Sequence, residues 1–313
     1  MNKPSYNLIP YESKYNDALM ALEHLTPQGQ KIKLEMLRPS FLSRSDVFER
    51  YIIYVAADQT KDSVVGVVGV SIVPVKYKDS LMQAGFGYDL KVDPAHRKQG
   101  LAKKFAKILD GYLINNDISN YFITLKTGNE GAAKAAYAIP KQWYTYNFLY
   151  LTIPTFKRIK SLTTANRNQY LSTELLSRPA NANEYIIETK SGLGIYKTYK
   201  TYELKIQDMP FFMNLGIKLA NLIGSKEKKM PHKGHVLKFA TLFNYNPKNI
   251  ENINEALEIL HNKNIQYLNV CCTKKDLTYE LLKPYAMNSL PYTMLNTFEV
   301  QNGQHLTLDV RCL

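Results

Sequence analysis

The chain has 313 residues, 45% of them hydrophobic, and its 40 Lys and Arg against 27 Asp and Glu give a formal net charge of +13. That length admits two domains of ordinary size, no apolar run approaches the roughly 20 residues that span a bilayer, and the opening Met1-Asn2-Lys3-Pro4-Ser5-Tyr6 lacks a secretory-signal pattern. Three cysteines, with Cys271 and Cys272 adjacent and Cys312 apart, give neither a disulfide framework nor a zinc spacing, so the expectation is a cytoplasmic protein with no metal and no membrane span.

Residues 6–10 have the composition of a short strand, and Ser13 is placed to cap a helix carrying Ala18, Leu19, Ala21 and Leu22. Residues 28–48 read as polar turning helical, with Ile32, Leu34, Met36 and Leu37, broken at Pro39. The β-branched runs 51–57 and 64–73, separated by a turn over 58–63, predict a hairpin. A further strand over 82–92 contains Gly85 and Gly87, the mark of a bulge or of close backbone approach.

Val92-Asp93-Pro94-Ala95-His96-Arg97-Lys98-Gln99-Gly100-Leu101-Ala102 joins that strand to a helix whose apolar residues, Leu101, Phe105, Ile108, Leu109, Tyr112 and Leu113, share one face. A helix beginning near Gly100 offers free N–H groups and the positive end of its macrodipole, and the glycine lets a ligand approach the backbone. Such a terminus suits a pyrophosphate. Residues 121–125 follow as a strand, then Gly128-Asn129-Glu130 and an alanine-rich helix to Tyr137, then an alternating strand with Tyr144, Tyr146 and Tyr150.

Arg97-x-x-Gly100-x-Ala102, preceded by Val92-x-Pro94, resembles the acyl-CoA signature of the GCN5-related N-acetyltransferase (GNAT) superfamily. A looser resemblance is to the plant HOOKLESS-type branch, whose members carry a long extra C-terminal region. The resemblance implies that Arg97, Lys98, Gln99, Gly100, Leu101 and Ala102 cradle the CoA diphosphate. It further implies that Leu90, Lys91 and Val92 form a splayed strand pairing with the pantetheine arm, one of whose N–H groups, near Leu90 or Val92, polarises the thioester. Asn129 matches by type the residue that binds pantetheine in relatives, or it caps its helix. Tyr137 matches the phenol that protonates departing CoA, or it packs; Asn129 and Tyr137 depart by one residue from the usual spacing. Many family members use a carboxylate on the splayed strand as base. Asp89 is the first candidate here, although it shares a face with Lys91 and that pairing alone would explain it; Tyr88 is the second candidate, and solvent acting through ordered water the third.

Residues 151–164 read as a change of domain and a linker. Beyond it the pattern predicts strands over 184–189 and 195–206, an apolar helix over 210–223 opened by a proline, a strand over 235–243, a helix over 249–261, a strand over 265–273, a helix over 276–286 and strands over 292–300 and 305–310. That order repeats the back half of a GNAT domain, but Asn244-Tyr245-Asn246-Pro247-Lys248-Asn249-Ile250 has no glycine and no basic residue in the signature position. The fold class is therefore α/β (α+β), tandem GNAT-like mixed central sheets flanked by helices, with an acetyl-CoA-binding catalytic domain over 1–155 and a degenerate GNAT-like domain over 165–313.

The function implied by the resemblance is transfer of an acetyl group from acetyl-CoA, as cosubstrate, to a small-molecule or peptide amine by direct attack in a ternary complex. The same features fit a non-catalytic acyl-CoA-binding regulatory protein that kept the cradle. Nucleic acid is not expected as a partner, because the basic residues are spread and no helix-turn-helix or RNA-binding signature is present. The densest basic cluster, Lys226-Glu227-Lys228-Lys229 with Lys233, reads as a solvated loop, and His232-x-x-His235 lacks a paired ligand at metal spacing.

Overall fold

A computed structural model describes residues 5–29, 31–59, 63–160, 171–179, 181–223, 230–246 and 249–313. The middle of the expected turn at 58–63, the end of the expected linker, the lysine cluster 226–229 and residues 247–248 lie outside the described residues. The first half contains β1 (Tyr6–Pro10), α1 (Asn16–Leu25), β2 (Lys33–Leu37), β3 (Tyr51–Asp58), β4 (Ser63–Tyr77), β5 (Ser80–Val92), α2 (Leu101–Ile114), β6 (Tyr121–Lys126), α3 (Glu130–Ala136) and β7 (Tyr144–Pro154). The second contains β8 (Leu171–Glu174), α4 (Ala182–Tyr185), β9 (Ile186–Glu188), β10 (Gly194–Tyr196), β11 (Glu203–Asp208), α5 (Phe211–Ile223), β12 (Val236–Leu237), β13 (Phe239–Phe243), α6 (Ile253–Asn262), β14 (Tyr267–Cys272), α7 (Leu277–Leu282), β15 (Asn288–Asn296) and β16 (Leu306–Asp309).

One 13-stranded mixed sheet runs through both halves in the order β1-β3-β4-β5-β6-β15-β7-β14-β13-β10-β9, with β16 joined to β4 and β8 to β16. The β-branched runs at β3 and β4 form the expected hairpin, and the central residues of β4 are buried because cores lie on both faces of the sheet. The halves correspond: β5-α2-β6-α3-β7 is matched by β13-α6-β14-α7-β15, and in each the two strands flanking the first helix are parallel. The last strand of each matched series crosses into the other half. β15 pairs β6 from Tyr292 to Asn296, while β7 pairs β14 along Leu149 to Pro154. The two exchanged strands pair with each other over Asn288–Asn296 at the centre. The sheet thus runs uninterrupted across the 155–165 boundary, and Cys271, Met294, Val300 and Leu308 share a core with Phe41, Phe86 and Phe122.

The segment 28–48 differs from the helical expectation. It forms β2 and a short 3-10 turn over Phe41–Arg44, because β2 pairs with β11 of the other half and Pro39 disfavours helical geometry at Arg38. β2, β11 and β12 make a separate three-stranded sheet that ties the halves together. The strand expected over 195–206 is divided by a turn at Thr198–Lys200, and the one over 235–243 is interrupted at Lys238. The strand expected over 184–189 is shorter, Ile186–Glu188, because Glu184 and Tyr185 belong to the single helical turn α4.

Candidate functional site

β5 and β6 pair only from Gly85 to Gly87, opposite Tyr121 to Ile123, and then diverge. Gly85 and Gly87 permit the close approach: a Cβ at Gly85 would strike Leu113, and one at Gly87 would strike the Tyr121 hydroxyl and Ile123. The bulge suggested for these glycines lies two residues further on. β5 slips against β4 between the pairs Gly69–Tyr88 and Val67–Lys91, with Asp89 in the left-handed region at φ 53°. The extra residue inverts the alternation of the strand. Ala84, Phe86 and Tyr88 pack into the α1 side before it, whereas after it Leu90 and Val92 pack against the α2 side and Lys91 turns toward α1.

The loop after β5 is closed from behind and open in front. Asp93 accepts the Ala95 N–H at 2.7 Å, and Arg97 Nε donates to the Val92 carbonyl at 3.2 Å. Lys98 (φ 62°) and Gly100 (φ 81°) both take left-handed backbone, and a Cβ at Gly100 would meet nothing within 4 Å. The first bond of α2 runs from the Lys104 N–H to the Gly100 carbonyl, so the amides of Leu101, Ala102 and Lys103 have no partner within the helix. Arg97, Lys98, Gln99, Gly100, Leu101 and Ala102 thus lie together at an amide-lined, positively charged helix start that fits a diphosphate. Tyr6 of β1, which sequence reasoning missed, ties this loop down. Its hydroxyl donates to Gln99 Oε1 and meets His96 Nδ1 at 3.0 Å, and Lys104 sits over its ring.

Asp89 and Lys91 do share the α1 side, but they are not each other's partners. Asp89 Oδ2 accepts from Arg38 Nη1 at 2.7 Å and Oδ1 from Arg44 Nη1 at 2.8 Å, its side chain only 2% exposed. Arg38 also reaches Glu23 at 2.5 Å, and Lys91 pairs with the other Glu23 oxygen. Burial alone raises the Asp89 carboxyl, but Arg38, Arg44 and Lys91 outweigh it and hold the group well below the usual carboxylate range. A carboxylate committed to two guanidiniums is a poor proton acceptor, so the geometry argues against Asp89 as base. Tyr88 is no better suited: burial pushes its phenol up to about 12, with Ser71 donating to it at 3.2 Å while it donates to Ser45 at 2.9 Å. Glu23, Arg38 and Arg44 escaped sequence reasoning. Each is an isolated charge in a different element, and only the fold brings them to one point.

Asn129 caps α3, its Oδ1 accepting the Ala132 N–H at 3.2 Å. Tyr137 closes that helix and is 54% exposed, with its ring edge-on to Trp143 at 6.3 Å. In the second half, β13 and β14 likewise pair only from Phe239 to Thr241 and then diverge. Here the gap is filled: Tyr245 is buried and its hydroxyl donates to the Cys271 carbonyl on β14. The following amides are used locally, Asn246 N–H on Asn249 Oδ1 at 2.7 Å and Ile250 N–H on the Asn246 carbonyl at 3.0 Å. All three cysteines are buried and free, and among the described residues no cluster of His, Cys, Asp or Glu could hold a metal.

No family model matches the sequence, and no curated protein matches it. Solved structures do. The chain is similar to Saccharomyces cerevisiae N-myristoyltransferase with bound myristoyl-CoA, at 11% identity over 97% of this chain and 87% of that one, TM-score 0.55. Another structure of the yeast enzyme, with inhibitors, matches at 10% identity over 97% and 84%, TM-score 0.56. A GCN5-related glucosamine N-acetyltransferase region of a fungal multi-domain β-N-acetylglucosaminidase matches at 12% identity over 95% of this chain and 38% of that one, TM-score 0.53. The looser likeness to the HOOKLESS-type branch gains no support from these structures. With two corresponding halves built on one sheet and an amide loop beside a strand divergence, the chain has a GNAT-like fold in tandem.

Proposed function

We propose that the protein is an acyl-CoA-dependent N-acyltransferase that passes an acetyl group from acetyl-CoA to an amine within a ternary complex. The observation that carries this reading is the divergence of β5 from β6 after Gly87, directly before the open amide loop 97–102. The diphosphate of CoA rests on the amides of Arg97 to Ala102, and the pantetheine arm pairs with the main chain of Leu90, Lys91 and Val92, which β6 leaves unpaired. The bulge at Asp89 turns the neighbouring N–H of Leu90 toward the thioester oxygen. Asn129 borders the pantetheine arm. The second half, with Tyr245 in its gap, is the degenerate partner.

In the reaction the amine nitrogen attacks the thioester carbon, the C–S bond breaks, the amine loses a proton and the thiolate gains one. Asp89 acts through Arg38 and Arg44 as a positioning residue, and ordered water takes the amine proton. Tyr137, exposed at the end of α3, returns a proton to sulfur. A short acyl group is favoured by the side chains behind the divergence, where Phe48, Phe86, Tyr88, Phe122 and Phe298 are buried in ring contact. The amine enters between the 28–48 segment and the second half; the cavity already open beside the Phe41–Arg44 turn, between Arg44, Val47, Tyr202 and Arg311, is about 10 Å³, the size of one water.

Calorimetry with acetyl-CoA on the wild type and Gly100→Glu, followed by CoA-release assays over a panel of amines, tests the proposal. Heat with the wild type alone, and thiol release with at least one amine, is expected. No heat with the wild type overturns it. The engaged state of Asp89 favours one second reading, an acyl-CoA-binding regulatory protein, which binding without release on any amine would establish.

A further inference from the structure

The apolar helix α5 is built inside out. Its half-buried residues are Asn214, Ile217 and Asn221, one stripe at helical spacing, and no residue of the helix is fully buried. Asn214 Oδ1 accepts the Lys233 N–H at 3.1 Å, and Asn221 exchanges two 2.8 Å hydrogen bonds with the Met230 backbone. That stripe, two asparagines and Ile217, faces the Met230–Lys233 segment. The opposite face carries Phe212 at 84%, Leu219 at 54%, Leu222 at 81% and Ile223 at 91% exposure, with Phe211 and Leu215 beside them. A contiguous apolar face of this extent marks an interaction surface.

The charge around it selects the occupant. From Asp208 to His235 the sequence has five lysines, Lys218, Lys226, Lys228, Lys229 and Lys233, against two acids, Asp208 and Glu227; Lys233 pairs with Asp208 at 2.9 Å, and residues 226–229 lie outside the described residues. With the whole chain at +13, a second copy would meet like charge. Among the described residues no helix is long and apolar enough to cross a membrane, and 13 residues span only about 20 Å. A short helix with an apolar face, Lys218 within it and a lysine-rich sequence directly after it fits the plane of an anionic lipid interface. We propose that α5 docks the protein on an anionic lipid surface, with Phe212, Leu219, Leu222 and Ile223 in the acyl boundary.

The test is sedimentation of the full chain with phosphatidylcholine vesicles, with and without 30 mol% phosphatidylserine, at 0.1 M salt. The wild type should bind the anionic vesicles at least tenfold more tightly than the neutral ones. Phe212→Ser/Leu219→Ser/Leu222→Ser, which keeps the charge, should lose at least tenfold of that binding with an unchanged circular dichroism spectrum and melting temperature. Acetyl-CoA titration run alongside should be unaffected, so loss of membrane docking and failure of the acyltransferase reading are separable. No binding to anionic vesicles, equal binding by the triple-serine variant, or a wild-type dimer that the variant abolishes would each overturn the proposal.

Discussion

Replacing Asp89 by Asn isolates what the buried ion cluster does. Five charged side chains meet there, Glu23, Arg38, Arg44, Asp89 and Lys91, and the substitution removes one of two anions facing three cations. Arg38 is fully buried and cannot rehydrate, whereas Arg44, 17% exposed, recovers part of its solvation. Breaking a buried pair on one side costs about 3–5 kcal/mol, and the partial escape of Arg44 places the loss near ~3 kcal/mol. At roughly 2–4 °C per kcal/mol for chains of this size class, the midpoint of thermal unfolding at pH 7 falls by on the order of 10 °C. The sign with pH is fixed by the depressed carboxyl. Its stabilisation is complete above the unfolded value of ~3.9 and fades as pH drops below it toward the lower folded value, so wild type and variant should converge only in strong acid. Circular dichroism melts of both proteins from pH 7 to pH 2 measure this. A midpoint within 2 °C of wild type at pH 7, with turnover reduced more than a hundredfold, would refute the positioning role and restore Asp89 as base.

Gly100→Glu should abolish acetyl-CoA binding in calorimetry while lowering the melting temperature by only about 2–8 °C, since the side chain enters open space and the φ of 81° costs about 1–2 kcal/mol. Tyr6→Phe removes the hydroxyl that holds Gln99 and His96; with each hydrogen bond worth about 1 kcal/mol, acetyl-CoA affinity should fall roughly 5- to 30-fold in the same titration. Tyr137→Phe should reduce turnover at saturating substrates and leave the acetyl-CoA dissociation constant unchanged; an unaltered rate would remove this phenol from the reaction.

The loop 97–102 and the helix it opens are legible because their signal is local: a strand, a glycine and an amphipathic helix within about thirty residues carry it. The tandem element order is legible for the same reason, each helix and strand having its own periodicity. What escapes is set by distant partners. β2 is a strand because β11, some 170 residues later, offers it an edge, and nothing between Gln28 and Phe48 records that. Asp89 reads as a base or as the partner of Lys91 until Arg38 and Arg44 arrive from a segment expected to be helical. Gly85 and Gly87 are read as a bulge or a close approach, since glycine marks both; they prove to be the close approach, and only the register against β4 places the bulge at Asp89.

The crossing of β7 and β15 makes each half a host for the other's closing ribbon. A fragment ending near residue 160 would leave β6 with one flank bare and would carry β7 with neither neighbour, two templates for aggregation. During synthesis the first half must wait for β15, more than 160 residues downstream of β6, before its sheet is complete. The amide loop 97–102 is thus made early in the chain while the sheet beside it is completed last, and substitutions in β15 should reach that loop through β6.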